Sequence, residues 1–403
     1  MKKLFLSTAL LLTAGFAFAQ EDAVKQAKRL MNSDLAAAEE TISGALTNPE
    51  TKDLANTWNL AGKIQQKIYD EEMKKAYIAQ PFDTARMHNS NYKMFEYFLK
   101  CDDIEQIPNE KGKVKFKFRK DDAEAIMANR PALVEGGNYY YTNGKNNEAL
   151  KFWGMYIDVA QAPMLADRDL MKTDTFIPMI AYYSTVAGLL AENYDGVIKY
   201  GKYACNHPEF GEDVTDYTLR AYLAKGDSTQ WLASLKESIT KYPNNQYFFA
   251  SLIDYYVNRG QMDEALTFGE DMLAKHSDDP NTLFVVGYIY QSLKKYDKAI
   301  ELYKKSIELD PTSARTYSYL GRTYFDQAAE AENRMPLDIN DPAYAKAQQE
   351  RTSFLELAKP YYEKARELAP DDKILWVNEL YLIYYNLNLP EFEELEKIRN
   401  AGY

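Results

Sequence analysis

Three histidines, two cysteines and sixty carboxylates are the groups from which this 403-residue chain could build a catalytic or metal site. His88, His207 and His276 stand far apart, and no Cys accompanies them in a zinc-like cluster. The sequence holds no glycine-rich phosphate loop, nucleophile elbow or dinucleotide fingerprint. The carboxylate pairs Asp121-Asp122, Asp278-Asp279 and Asp371-Asp372 fall at expected helix starts, where negative charge caps free N–H groups and complements the macrodipole. His207-Pro208 and His276-Ser277 fall at turns, where an imidazole is expected to satisfy terminal helix carbonyls. No catalytic residue, cofactor or metal ligand is therefore assigned, and recognition is the better expectation than turnover.

Charge and composition narrow the partners. Forty-eight Lys and Arg against 60 Asp and Glu leave a net charge of −12, which argues against a nucleic-acid partner. Tyrosine is in excess, with 33 against 18 Phe. The chain opens with Met1-Lys2-Lys3, an apolar run to Ala19 and the small-residue end Ala17-Phe18-Ala19. That pattern predicts a secretory signal over 1–19, cut before Gln20, and hence a periplasmic or secreted protein. No Cys stands at the junction for a lipid anchor, and no later stretch is apolar for long enough to insert stably in a membrane. Cys101 and Cys205 are expected to remain separate thiols, since about a hundred residues of stacked helices lie between them.

The elements that position side chains follow from a repeat. Tyr222, Tyr256, Tyr290 and Tyr324 stand 34 residues apart, and so do Trp231, Ala265 and Ala299. One unit reads Leu283, Val286-Gly287, Tyr290, Ala299, Tyr303, Ser306 and Pro311. The next opens with Tyr317, Leu320-Gly321 and Tyr324, and resumes at Ala358, Tyr362, Ala365 and Pro370. Looser units begin near Leu133 and Pro178. Small residues at Gly287 and Ala299 let two helices approach, and Tyr290 and Tyr303 fill the gaps between pairs. Pro311 is expected to start the next helix. One pair cannot bury its own apolar face, so neighbours must stack. This pattern resembles the tetratricopeptide repeat (TPR) over more than half of the chain. The resemblance implies an all-α, right-handed α-solenoid of helix pairs, with a degenerate helical region over 20–129 and the array over 130–403. Extra residues near 163–177 and 327–352 interrupt the stride, and the second insert is expected to lengthen both helices of its unit.

The family also implies where binding occurs. Its first helices line a concave groove that takes peptides or helices. Carried over position by position, the groove holds Asn138, Tyr141, Tyr182, Val186, Arg220, Tyr247, Asp254, Phe284, Tyr288, Gln291, Arg315 and Arg322. The lysine and asparagine clamp of the chaperone-binding branch is absent, because its positions hold Tyr182 and Val186, Ala250 and Asp254, Phe284 and Tyr288, and Ser318 and Arg322. An aromatic groove with an anion contact at Arg315 and Arg322 remains.

One segment breaks the helical pattern. Lys113 to Arg119 alternates strictly and predicts a strand, with Asp103 to Ile107 as partner, giving a short β-hairpin within 103–119. Val114, Phe116 and Phe118 would face helices, leaving a basic ribbon that either docks an acidic partner or only deters edge pairing. The leading functional reading is a non-enzymatic scaffold binding a protein or peptide, in envelope assembly or secretion. A glycan-capture accessory and an enzyme on a helical scaffold are the alternatives.

Overall fold

The computed structural model describes residues 23–402 apart from Asn244. The expected signal at 1–19 lies outside the described residues, among which every regular element is helical. The chain divides after Ser228 into two compact units, inside the stretch read as one array. Unit 1 contains α1 (23–30), α2 (Leu35–Thr47), α3 (Ala55–Tyr77), α4 (Thr84–Glu105), α5 (Arg119–Asn129), α6 (Pro131–Thr142), α7 (Asn146–Asp158), the short α8 (Leu170–Thr173), α9 (Ile177–Leu190), α10 (Tyr194–Gly201) and α11 (Gly211–Ala224). Unit 2 contains α12 (Ser228–Lys241), α13 (Gln246–Arg259), α14 (Met262–Lys275), α15 (Pro280–Ser292), α16 (Tyr296–Leu309), α17 (Ala314–Asn333), α18 (Pro342–Leu368), α19 (Val377–Asn386) and α20 (Phe392–Ala401).

In unit 2 the helices pack as successive pairs, α13 with α14, α15 with α16, α17 with α18 and α19 with α20. The sequence explains the close approach. A Cβ on Gly287 would stand 2.8 Å from the buried Tyr303 ring, and one on Gly321 would stand 2.8 Å from Tyr362. Both glycines serve the same contact one 34-residue step apart, although 25 more residues separate Gly321 from its tyrosine. Most of that excess is helical: α17 and α18 run for 20 and 27 residues, against 13 and 14 in α15 and α16. Arg334 pairs with Glu350, and Arg351 with Glu332, along the extension. Gly287→Val is expected to lower the stability of unit 2 by about 1–3 kcal/mol, since the flanking ring has no room to move in a packed core. Urea unfolding checks this, with a lower midpoint and an unchanged slope as the expected result.

Helix starts are capped as the acidic pairs predict in one case and differently in others. Asp279 accepts the Thr282 amide at 2.7 Å and caps α15. Pro311, in contrast, lies in the turn before α17, whose cap is Ser313. The apolar stretch near the C-terminus is covered in part by α20, where Leu395 is fully buried against the unit.

The expected β-hairpin does not form, and no strand occurs among the described residues. Asp103 to Glu105 is the last turn of α4 rather than a partner strand. The backbone donors that a ladder would use go instead to one side chain: the Glu105 carboxylate accepts the amides of Lys117, Phe118 and Arg119 at 2.7, 3.1 and 3.2 Å. Asn109 turns the preceding loop by accepting the amides of Lys111 and Lys113. Val114 and Phe116 remain exposed, and Phe116 is stacked by the Arg119 guanidinium at 3.4 Å. Alternation alone did not make a half-buried strand, because nothing with free strand-edge groups stands beside it.

Two carboxylates in unit 1, one half-buried and one buried, differ in their surroundings. Asp174 lies in the 163–177 insert and meets Arg130, whose Nη1 donates to it at 2.5 Å. Arg130 also donates to the Tyr156 carbonyl through Nε and Nη2, and lies 3.6 Å over the Tyr156 ring. Tyr156 Oη donates to the same Asp174 oxygen at 2.7 Å. Burial opposes ionisation of Asp174, yet the bonds from Tyr156, the Phe176 amide and Arg130 hold its carboxyl below the usual value. Asp122, in the first turn of α5, is 1% exposed and accepts a bond from Asn59 Nδ2 at 2.7 Å. Burial pushes its carboxyl up to about 7, and the Cys101 thiol, Lys63 and Asn59 offset this only in part. Cys101 and Cys205 form no disulfide, as expected.

Candidate functional site

The family-derived groove positions fall in both units, and each unit is described by itself. In unit 2, α15 packs between α13 and α17, so the first helices of three successive pairs are neighbours. Tyr247 and Asp254 are exposed on α13, Tyr288 is half-buried on α15, and Arg322 is exposed on α17. Between them stands Tyr319, which the family offsets skip. Its ring lies 5.0 Å from Phe284 and 5.5 Å from Tyr288, edge-on to both. The signal for it was present, an aromatic residue directly after Ser318, but the offsets do not include the position.

Two of the expected contact residues are corrected by this arrangement. Phe284 is only 4% exposed, covered by Tyr319 and by the Arg315 guanidinium at 4.1 Å, and it abuts the buried Tyr303 ring. Gln291 is likewise buried. It accepts a bond from Tyr303 Oη at 2.9 Å and donates to Asp326 at 2.8 Å. Both residues support the face from beneath. Offsets give the direction of a side chain from its own helix, whereas coverage depends on the next repeat.

The two groove arginines differ in their electrostatic surroundings, and Arg322 already has acidic neighbours. At Arg322, burial works against the charge, but Asp326, Tyr362, Glu379 and Tyr319 outweigh it and hold the guanidinium above its usual value. Burial pulls Arg315 below that value. Burial raises the Tyr288 hydroxyl, and Tyr319 adds to the rise while Arg322 opposes it. Tyr288 therefore stays a neutral donor at physiological pH.

In unit 1, Asn138 and Tyr141 are exposed on α6, Tyr182 is half-buried on α9, and Arg220 on α11 pairs with Asp216 at 2.7 Å. Val186 is half-buried on α9. The aromatic side chains run on through the core: Tyr141 lies 5.5 Å from Trp153, and Trp153 lies 5.7 Å from Tyr183. Tyr182 lies 4.8 Å from Phe210, which stacks on His207 at 3.6 Å. His207 Nδ1 accepts the Glu209 amide at 3.2 Å, so this nitrogen takes a bond where donation to a helix carbonyl was expected. His88 is buried beside Tyr139 and Phe152, and burial lowers its imidazole below the usual range. Among the described residues, no group of three or more His, Cys, Asp or Glu side chains could hold a metal ion. No helix among them is long and apolar enough to cross a membrane.

Residues 287–327, from α15 through α16 into α17, match the family described as TPR repeat. The chain carries a TPR repeat. The interferon-induced protein with tetratricopeptide repeats 2 of Cricetulus griseus is 24% identical over 181 residues, or 44% of this chain. The chain spans 36% of that relative's length. A TPR repeats protein from Bacteroides fragilis, known as a crystal structure, is 16% identical, with a TM-score of 0.34 over 64% of this chain and 98% of its own. The C-terminal part of a TPR repeat-containing protein from Cytophaga hutchinsonii is 18% identical, with a TM-score of 0.34 over 65% of this chain and 92% of its own. The TPR match contains Tyr288, Gln291, Arg315, Tyr319 and Arg322, and so covers most of the unit 2 face.

Proposed function

We propose that this chain is a non-enzymatic TPR scaffold that holds a protein or peptide segment against the first-helix face of unit 2. The observation that carries the reading is the coincidence of the matched repeat with Tyr288, Tyr319 and Arg322 on one face. Aromatic and arginine side chains dominate binding energy at protein interfaces, and TPR scaffolds in general serve protein–protein interaction. The segment that fits has an apolar side chain for the Tyr247–Tyr288 side and an acidic group for Arg322. The leader pattern over 1–19 supports work in the periplasm or outside the cell, within envelope assembly or secretion. N-terminal sequencing of the exported chain is expected to begin at Gln20.

A photo-crosslinking residue at Tyr247 is expected to capture a partner that the same residue at Lys304, on α16, does not. Tyr288→Ala combined with Arg322→Ala is expected to weaken that partner's binding at least about tenfold, the loss of one or more hot spots. Unchanged affinity in the double variant, with an unchanged unfolding midpoint, would remove this face from the function.

A further inference from the structure

The loop between α4 and α5 carries charge opposite in sign to the chain as a whole. Between 107 and 120 stand Lys111, Lys113, Lys115, Lys117, Arg119 and Lys120 against one carboxylate, Glu110, in a chain of net charge −12. Arg119 is spent on Asp102, whereas the five lysines form no ion pair among the described residues. Apolar side chains share the loop. Every residue from 107 to 117 is exposed, and among them are Ile107 at 68%, Phe116 at 48% and Val114 at 42%. Cations interleaved with large apolar groups are what a contact with a bilayer surface uses: ammonium groups meet anionic headgroups while apolar side chains enter the acyl boundary.

The loop is also firmly mounted. Glu105 accepts the amides of Lys117, Phe118 and Arg119, and Asn109 accepts those of Lys111 and Lys113. The Arg119 guanidinium, anchored on Asp102, lies over the Phe116 ring at 3.4 Å. Phe116 is thus held at the surface before anything binds, which lowers the ordering cost of docking. The same bonds disfavour a peptide strand, since with these amides taken the loop offers no continuous backbone edge to pair with. A nucleic acid would use the lysines and leave Ile107 and Val114 without a contact. An anionic bilayer uses both sets of side chains.

We infer that the 107–117 loop docks unit 1 on an anionic lipid bilayer, with its lysines on the headgroups and Phe116 and Val114 at the acyl boundary. This contact is independent of the unit 2 face. The chain from Gln20 onward, which keeps every described helix, is to be sedimented with vesicles of phosphatidylglycerol and phosphatidylcholine in equal parts, and with phosphatidylcholine alone. Each lysine near an anionic surface strengthens binding about fivefold, so the mixed vesicles are expected to bind at least about tenfold more tightly than the neutral ones. About 1 M salt is expected to release most of the chain, because it screens charges beyond about 3 Å. Lys113→Glu, Lys115→Glu and Lys117→Glu together are expected to reduce binding to the neutral level and to leave the unfolding midpoint unchanged, since these side chains are exposed. Phe116→Trp is expected to keep binding and to add a fluorescence that shifts to the blue on the mixed vesicles and is quenched by brominated acyl chains. Equal binding to both vesicles, undiminished sedimentation of the lysine variant, or an unshifted Phe116→Trp emission would each overturn the assignment. Tighter binding of a polyglutamate peptide than of the mixed vesicles would overturn it too, and give the loop to an acidic protein partner.

Discussion

Arg130→Met is expected to destabilise unit 1 by about 3–5 kcal/mol, the cost of leaving one member of a buried ion pair alone. Three of the arginine's donors are committed, two to the Tyr156 carbonyl and one to Asp174, and its face covers the Tyr156 ring. Methionine replaces the packing and none of the donors. Asp174 then keeps only Tyr156 and the Phe176 amide in a nearly closed site. The size of the loss depends on pH. The native surroundings depress the Asp174 carboxyl, so its contribution is present above about pH 4 and is lost as pH falls through the folded value. The variant is therefore expected to differ most from the native chain at neutral pH and less where Asp174 protonates. Urea melts across this range measure it, and Arg130→Met with Asp174→Asn is expected to recover part of the loss. A pH-independent difference would show that Arg130 acts through the Tyr156 carbonyl and ring rather than through Asp174.

Asp122→Asn is expected to do the opposite and stabilise unit 1, on the order of 2 kcal/mol at pH 8. Burial holds this carboxyl near 7, well above an unfolded value near 4. Its neutral form is therefore favoured in the fold. Below about pH 4 both states are protonated and it costs nothing. Between about pH 4 and 7 the unfolded chain ionises while the folded chain does not, so stability falls; above 7 the penalty is constant. Asparagine removes the titration and keeps the acceptor that Asn59 uses, while its buried amide donors reduce the net gain. Melts at intervals from pH 4 to 8 should show the gain of the variant growing to about pH 7 and then levelling. A constant gain would mean that Asp122 is ionised throughout.

Much of the fold was legible because the governing interactions recur at a fixed step. Gly287 and Gly321 announce close helix approach, and the tyrosines that fill it are conspicuous by size and spacing. The 25-residue excess before Tyr362 reads as added helix because its own pattern is helical. The candidate face was legible in part. Tyr247, Asp254, Tyr288 and Arg322 reach solvent as their offsets imply, whereas Phe284 and Gln291 are covered by side chains from the following repeat.

The sequence by itself determined paired helices and their stride, since these rest on residues close together in the chain; it placed Tyr303 between pairs, whereas the ring packs on Gly287 inside its own pair. Only the tertiary structure decided where backbone donors and charges ended up. The 113–119 segment has strand alternation, yet Glu105 takes its amides and so prevents a ladder. Asp122 has the sequence of a helix-start acid, yet it is buried in the core beside Asn59 and Cys101. In each case the deciding partner is set by how distant elements pack, and local pattern carries no record of that.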